Sequence, residues 1–253
     1  MNATDSKSNK LWQTKLTRFS PIIIGLVIFA LIPAFLPAYV QSIMTKVLIF
    51  AIFAMSLDII MGYTGLLSLG HAAFFGVGGY TVAILISKLE ITSFWLIAPV
   101  GIIMAAIFAA ILGVIALRVS GLYFLLVTFA LSMLLVSVAS KWYAVTKGTD
   151  GLAGLPMPVL GIPGFRWDAT LFYYFVFVFF VVCFFLMFRI MQSPFGKALQ
   201  GIRESEPRMR VLGYNVWFYK YVAFIVSGLF AGVAGVYAER DIAYGVNTTE
   251  VLG

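Results

Sequence analysis

Long apolar blocks alternate along this chain with short polar or glycine-rich breaks. A helix that crosses a bilayer needs about 20 mostly apolar residues. Seven stretches meet that length: Phe19–Tyr39, Ile43–Met61, Leu66–Ser87, Ser93–Leu117, Gly121–Ala139, Ala169–Met191 and Tyr221–Tyr237. The pattern predicts an all-α, polytopic transmembrane helical bundle of about seven spans. The third span differs from the others, because it holds Ser68, His71 and a run of glycines from Gly70 onward. Whether it is continuous, bent, broken or re-entrant stays open. Irregular backbone survives in a membrane only where protein or a cavity covers it.

Two breaks between spans are long. Lys141–Asp168 is rich in Gly and Pro, and Gln192–Lys220 is the most charged stretch after the N-terminus. Within the second, Lys197–Gly213 reads as one or two short helices. Ser205 is placed to cap the second of them, with Pro207 in its first turn. Leu199, Ile202, Met209 and Leu212 recur as apolar positions there, which a purely solvated loop does not need. The stretch is therefore expected to be a structured docking element.

Composition agrees with the apolar pattern. Of 253 residues, 62% are hydrophobic and 11% charged, where a soluble domain carries about 45–50% apolar and about 25% charged residues. A net charge of +7 raises nucleic acid as a partner, but the basic residues lie between apolar blocks, where they set topology instead. With the N-terminus inside, Lys7, Lys10, Lys15, Arg18, Arg118, Arg189, Lys197, Arg203, Arg208, Arg210 and Lys220 are cytoplasmic, 11 of the 17 basic residues. Lys46, Lys88, Lys141, Lys147, Arg166 and Arg240 fall outside. The first span follows a basic segment as a signal peptide would, but no small-x-small cleavage site comes after it, so it is read as a retained helix. The organisation expected is a cytoplasmic segment over residues 1–18 and a transmembrane domain over 19–253, with a cytoplasmic loop at 193–220 and an external loop at 140–168.

No catalytic constellation is visible. The one cysteine, Cys183, lies inside an apolar run and is expected to be inert. One histidine gives no metal-ligand set, and the chain carries no phosphate-cradling Gly-x-x-x-x-Gly-Lys-Ser/Thr, so any ATP use belongs to a partner. His71 has two open roles: a functional group in the membrane, or a neutral ring bonded to backbone that the local glycines free, which the pattern favours. Asp58, about one turn before the end of the second span, reads as an interfacial carboxylate or as a buried partner for another helix. Gly228 with Gly232, Ala231 with Gly235, and Ala72 with Gly76 stand four residues apart, a spacing that lets helix backbones approach closely.

Three blocks carry a resemblance. The stretch from Gly62 to Tyr80, GYTGLLSLGHAAFFGVGGY, closely resembles the signature of the LivM/LivH-type permeases, the membrane subunits of branched-chain amino acid ABC importers. Gly121–Ala130 with Trp142 and Thr146–Pro156 is similar to the LivM branch, as is Ser193–Glu206 with Leu212–Tyr214 and Tyr219–Lys220. The resemblance covers roughly residues 45–240 and implies a division of labour. The chain would be one permease half in a bacterial inner membrane, beside a LivH-like second permease subunit. A periplasmic or extracellular binding protein would deliver substrate. Cytoplasmic ATPase subunits would bind the ATP and dock on the 193–220 loop, this chain holding no cofactor. Glu206 and Gly213 match the family's docking element, with Arg203 and Arg208 beside them, and Gly70, His71, Gly76 and Gly79 are candidates for the substrate path or for helix packing.

This sequence departs from the pattern at Pro207 and Met209, where small residues are usual, at Lys147, where glycine is common, and at Asp58, where an amide is expected. Such permeases usually continue through further helices, so the C-terminus at Gly253 reads as incomplete. A urea or short-amide branch of the family, and a self-contained secondary transporter, are the rival readings.

Overall fold

The computed structural model describes residues 25–31, 33, 37–148, 152 and 168–250, with side chains described as far as Ala238. Most of the Gly/Pro-rich loop expected to be external and much of the first expected span lie outside the described residues; residues 25–31 are helical. Helix α1 (Ala38–Asp58) runs into a π turn at Ile59–Tyr63, and after it come α2 (His71–Leu89), α3 (Phe94–Ala116) and α4 (Leu122–Lys141). A single turn, α5 (Tyr143–Thr146), precedes α6 (Ala169–Gln192). Two short helices, α7 (Pro194–Glu204) and α8 (Glu206–Val211), lead to α9, helical over Val216–Glu250. Six helices among the described residues are long and apolar enough to cross a membrane: α1 with its π turn, α2, α3, α4, α6 and α9. They correspond to the second through seventh expected spans.

Helix α9 is the hub. It packs against α2, α3 and α1, while α6 lies against α1. Of the most apolar stretch of α9, 67% is buried, against 17% for α4, which sits at the edge of the bundle. Small residues put α9 in this position. A Cβ at Gly78 of α2 would come 2.5 Å from the Gly232 carbonyl oxygen of α9, and one at Gly235 would run into the Phe75 carbonyl of α2. Gly228 and Gly232 face Ala109 and Ala105 of α3 just as closely. Without an apolar driving force between helices in lipid, such close backbone approach is what holds them together. The four-residue spacings of α9 are thus packing seams, as expected.

The Ala72–Gly76 pair is a correction. A Cβ at Gly76 would meet nothing within 4 Å, and Ala72 is exposed, so this face of α2 does not form a close helix contact. The close approach is made two residues along, at Gly78, because a helix turns by about 100° per residue and only one face can meet α9. The third span also starts later than expected. Leu66–Gly70 is not helical, and the helix after it is unbroken from His71 to Leu89. Lys147, where the resemblance led to an expectation of glycine, adopts φ 58°, the left-handed region that a side chain disfavours.

Candidate functional site

The segment between the π turn and α2 is irregular: Thr64 and Gly70 take helical-region angles and Gly65 a φ of 74°. Thr64, Leu66, Ser68 and Gly70 are buried and Gly65, Leu67 and Leu69 exposed. Its polar groups are satisfied locally. The Thr64 hydroxyl donates to the Ile59 carbonyl at 2.9 Å, and the Leu66 amide to the Ile60 carbonyl at 3.0 Å. The Leu69 amide donates to Thr128 Oγ1 on α4 at 3.3 Å, and Gly70 lies so near α4 that a Cβ would come 2.8 Å from the Thr128 carbonyl oxygen.

This connector ends on a buried polar node. His71, 2% exposed, opens α2. Its Nε2 meets Ser227 Oγ on α9, and the Ser227 hydroxyl donates to the Ser56 carbonyl on α1. Its Nδ1 lies 3.2 Å from Ser68 Oγ, which in turn accepts the Gly70 amide at 3.3 Å. Because the Ser227 hydrogen is committed to Ser56, the Ser227 oxygen accepts and Nε2 carries the proton. A neutral ring then takes the Ser68 hydroxyl at Nδ1, and every donor runs in one direction from Gly70 to Ser56. Phe74 and Phe224 enclose the ring edge to face, with centroids 5.6 and 6.0 Å away. The node joins three helices through the side chains of His71 and Ser227. It matches the structural role open to His71, with a difference: its partners are serines on other elements and not a backbone carbonyl freed by glycine.

Ser227→Ala tests the node. It leaves the buried His71 Nε2–H without its acceptor and takes the Ser227 donor away from the buried Ser56 carbonyl. A hydrogen bond between membrane helices averages about 0.6 kcal/mol and reaches about 1.7, and an orphaned buried group costs about 1–3 kcal/mol. A loss of about 1–3 kcal/mol is expected in thermal unfolding of the detergent-purified protein. An unchanged midpoint would mean that the node is not formed.

The four sequence candidates in this span separate. Gly70 packs on α4, His71 forms the node, and Gly79 lies against Gly235 of α9. Gly76 instead lines an apolar cavity of about 300 Å³ between α2, α3 and α4, together with Tyr80, Phe108 and Trp142. Asp58 is exposed at the end of α1 and lines a different cleft, which agrees with the interfacial reading. Cys183 is buried in the core of α6.

Helices α7 and α8 form a platform at one end of the bundle. Ser205 separates them, its Oγ accepting the Arg208 amide at 3.4 Å, with Pro207 in the first turn, as expected for a capped start. Gly213 closes α8 at φ 86°, with its amide on the Arg210 carbonyl at 3.0 Å and the Tyr214 amide on the Met209 carbonyl at 3.1 Å. That paired closure needs the left-handed conformation, which explains a glycine there. The apolar positions behave differently from expectation. Ile202 and Met209 are buried with Ala198 and Val216 in a small core at the platform, Leu199 is buried in the main core of the bundle, and only Leu212 is exposed. Two of the four candidate docking residues are engaged within the chain. Glu206 pairs with Lys220 of α9 and, at 3.5 Å, with Arg210, and the Arg203 guanidinium donates to the Gly62 carbonyl. Arg208, Val211, Leu212 and Gly213 remain exposed at the tip.

The platform meets the π turn at Gly62, and at the other end of the bundle the Lys88 ammonium donates to the Ala144 carbonyl, at the start of the Lys141–Asp168 segment. Ser56 and Ser227 were not singled out from sequence, and Ser68 and Lys220 were noted there without these partners. The one signal that could have found them is the rarity of polar side chains inside apolar spans.

Comparison with known proteins points the same way. Residues 39–242 match the family described as branched-chain amino acid transport system / permease component. The chain is 30% identical over 223 residues to the high-affinity branched-chain amino acid transport system permease protein LivM of Escherichia coli K12, covering 79% of this chain and 52% of that protein. LivM of Salmonella typhimurium LT2 is 30% identical over the same shares. The chain thus spans about half the length of these curated relatives. No solved structure matches it. With the matched residues running from the first turn of α1 into α9 and taking in both the His71 node and the α7–α8 platform, this multi-pass chain belongs to the family of permease components of branched-chain amino acid transport systems.

Proposed function

We propose that this chain is one permease half of an ATP-driven importer for branched-chain amino acids, working by alternating access in a bacterial inner membrane. The family match across residues 39–242 carries the reading. In it, the N-terminus and the α7–α8 platform are cytoplasmic and the Lys141–Asp168 loop is external, the arrangement that the 11 basic residues of 17 favour. A second permease subunit completes the path, a binding protein delivers substrate from outside, and separate ATPase subunits bind and hydrolyse ATP. The exposed tip of the platform, Arg208 with Val211, Leu212 and Gly213, is the surface proposed for the ATPase. Glu206 supports it through its pair with Lys220, while Arg203 is engaged with the Gly62 carbonyl instead. No hydrolytic chemistry is assigned to this chain.

The test is reconstitution. The chain, its second permease, the ATPase pair and the binding protein are assembled in proteoliposomes, and leucine uptake is measured with and without internal ATP. Uptake that needs both ATP and the ATPase pair is expected. Leucine uptake without any ATPase would make the chain a self-contained transporter. ATP-driven uptake of urea or a short amide in place of leucine would move it to another branch of the family.

A further inference from the structure

We propose that Arg203 is the residue through which movement of the α7–α8 platform reaches the buried connector of α2. The proposal rests on the importer reading and assigns it a coupling residue. The platform is tied to α9 by its own small core and by the Glu206–Lys220 pair. Toward α1 it faces a cleft of about 590 Å³, lined by Asp58, Gly62, Tyr63, Gln200, Arg203 and Glu204. Arg203 crosses that cleft. Its guanidinium donates to the Gly62 carbonyl, and among the described residues this is the side-chain hydrogen bond that joins α7 to the α1–α2 connection. Gly62 lies in the last turn of its helix, where carbonyls have no intrahelical donor. The stem of Arg203 lies on Gly65, at φ 74°, where a Cβ would come 2.9 Å from Arg203 Cγ.

The connector gives this contact its consequence. Thr64–Gly70 is pinned at both ends, by the Thr64 hydroxyl and Leu66 amide on the Ile59 and Ile60 carbonyls and by the Leu69 amide on Thr128 of α4. A displacement of Gly62 and Gly65 therefore reaches Ser68 and Leu69, which hold the His71 ring and α4. The His71 node joins α1, α2 and α9. A displacement of the platform thus arrives at the contact of three spanning helices, by a route separate from α6 and α9, which flank the platform in sequence. Arginine suits the position: a long apolar stem packs on Gly65 while the charged head makes a strong hydrogen bond to a lone carbonyl.

The experiment uses the whole transporter in proteoliposomes and compares wild type with Arg203→Met and Arg203→Lys. Methionine keeps the stem and removes the donors; lysine keeps one donor. With Arg203→Met, leucine uptake is expected to fall about tenfold while ATP hydrolysis stays within about twofold, so that more ATP is used per leucine, the scale of one charge-assisted hydrogen bond. Arg203→Lys should recover part of the loss. Copurified ATPase and extracted yield should match wild type in both. Uptake unchanged in Arg203→Met overturns the proposal. So does a parallel fall in hydrolysis and copurified ATPase, which would make Arg203 a docking contact, or a parallel fall in yield, which would make it a folding contact. Wild-type complex without ATP-dependent uptake would instead sink the importer reading itself.

Discussion

Alanine at Gly235 is expected to destabilise the protein, while alanine at Gly76, on the helix that Gly235 packs against, is expected to stabilise it. In an open helix position the change gains about 0.5–1 kcal/mol, because glycine loses more backbone freedom on folding. Gly76 is such a position, with nothing within 4 Å of a Cβ. At Gly235 the new methyl would overlap the Phe75 carbonyl and approach the Gly79 amide nitrogen at 3.2 Å. Both obstacles are backbone of α2, which no rotamer change can clear. Overpacking costs about 1–3 kcal/mol, more where nothing yields, so a net loss near 3 kcal/mol is expected. For a chain of this size that lowers the thermal midpoint by about 6–12 °C. The readout is thermal unfolding of each variant in detergent. A stabilised Gly235→Ala would show that α2 and α9 are not in backbone contact. Leucine at Gly76 should likewise leave folding intact, and uptake by that variant then reports whether the apolar cavity beside it serves the substrate.

Glu206→Arg is expected to abolish ATP-driven uptake while the chain still inserts, and a reciprocal exchange is expected to restore it. Glu206 lies in the platform proposed to meet the ATPase, so loss of uptake alone would not say what it contacts. The structure supplies a partner inside the chain. Lys220 is buried, its side chain 9% exposed, and its ammonium rests on the Glu206 carboxylate. Removing one member of a buried ion pair leaves the other desolvated and uncompensated, at about 3–5 kcal/mol. Glu206 is 35% exposed, so water relieves part of this, and a cost near 2 kcal/mol is the better expectation. That is enough to detach the platform from α9 without unfolding the spans. The double variant Glu206→Lys with Lys220→Glu remakes the pair with its charges exchanged. Recovery of uptake to a large fraction of wild type assigns Glu206 to holding the platform. If the exchange fails while both single variants insert normally, the carboxylate itself meets the ATPase.

The glycine seam and the Glu206–Lys220 pair belong to different layers of one device. The seam keeps α2, α3 and α9 in fixed register, and the platform is anchored to α9 through Lys220, near the start of that helix at Val216. The Arg203 bridge then links the same platform to the connector that carries His71.

Several of these features could be read from the chain alone, for local reasons. Apolar block length located six helices because a bilayer crossing needs that many residues whatever surrounds it. Ser205 with Pro207, and Gly213 after the last helical turn, marked the limits of α8 because caps depend on the few residues beside them. The glycines around His71 signalled an irregular backbone, and Thr64–Gly70 is one. Direction was beyond the reach of the sequence. In a membrane the lipid-facing and helix-facing sides of a span are both apolar, so periodicity does not say which side packs. That is why Gly76 and Gly78 looked alike although only Gly78 meets α9, and why Ser227 passed unnoticed 156 residues from His71. The same limit applied to the platform. Its amphipathic pattern correctly announced a buried face, but a pattern carries no address, and only the packed chain showed that Leu199 is covered by the main core and Ile202 and Met209 by the small one beside it.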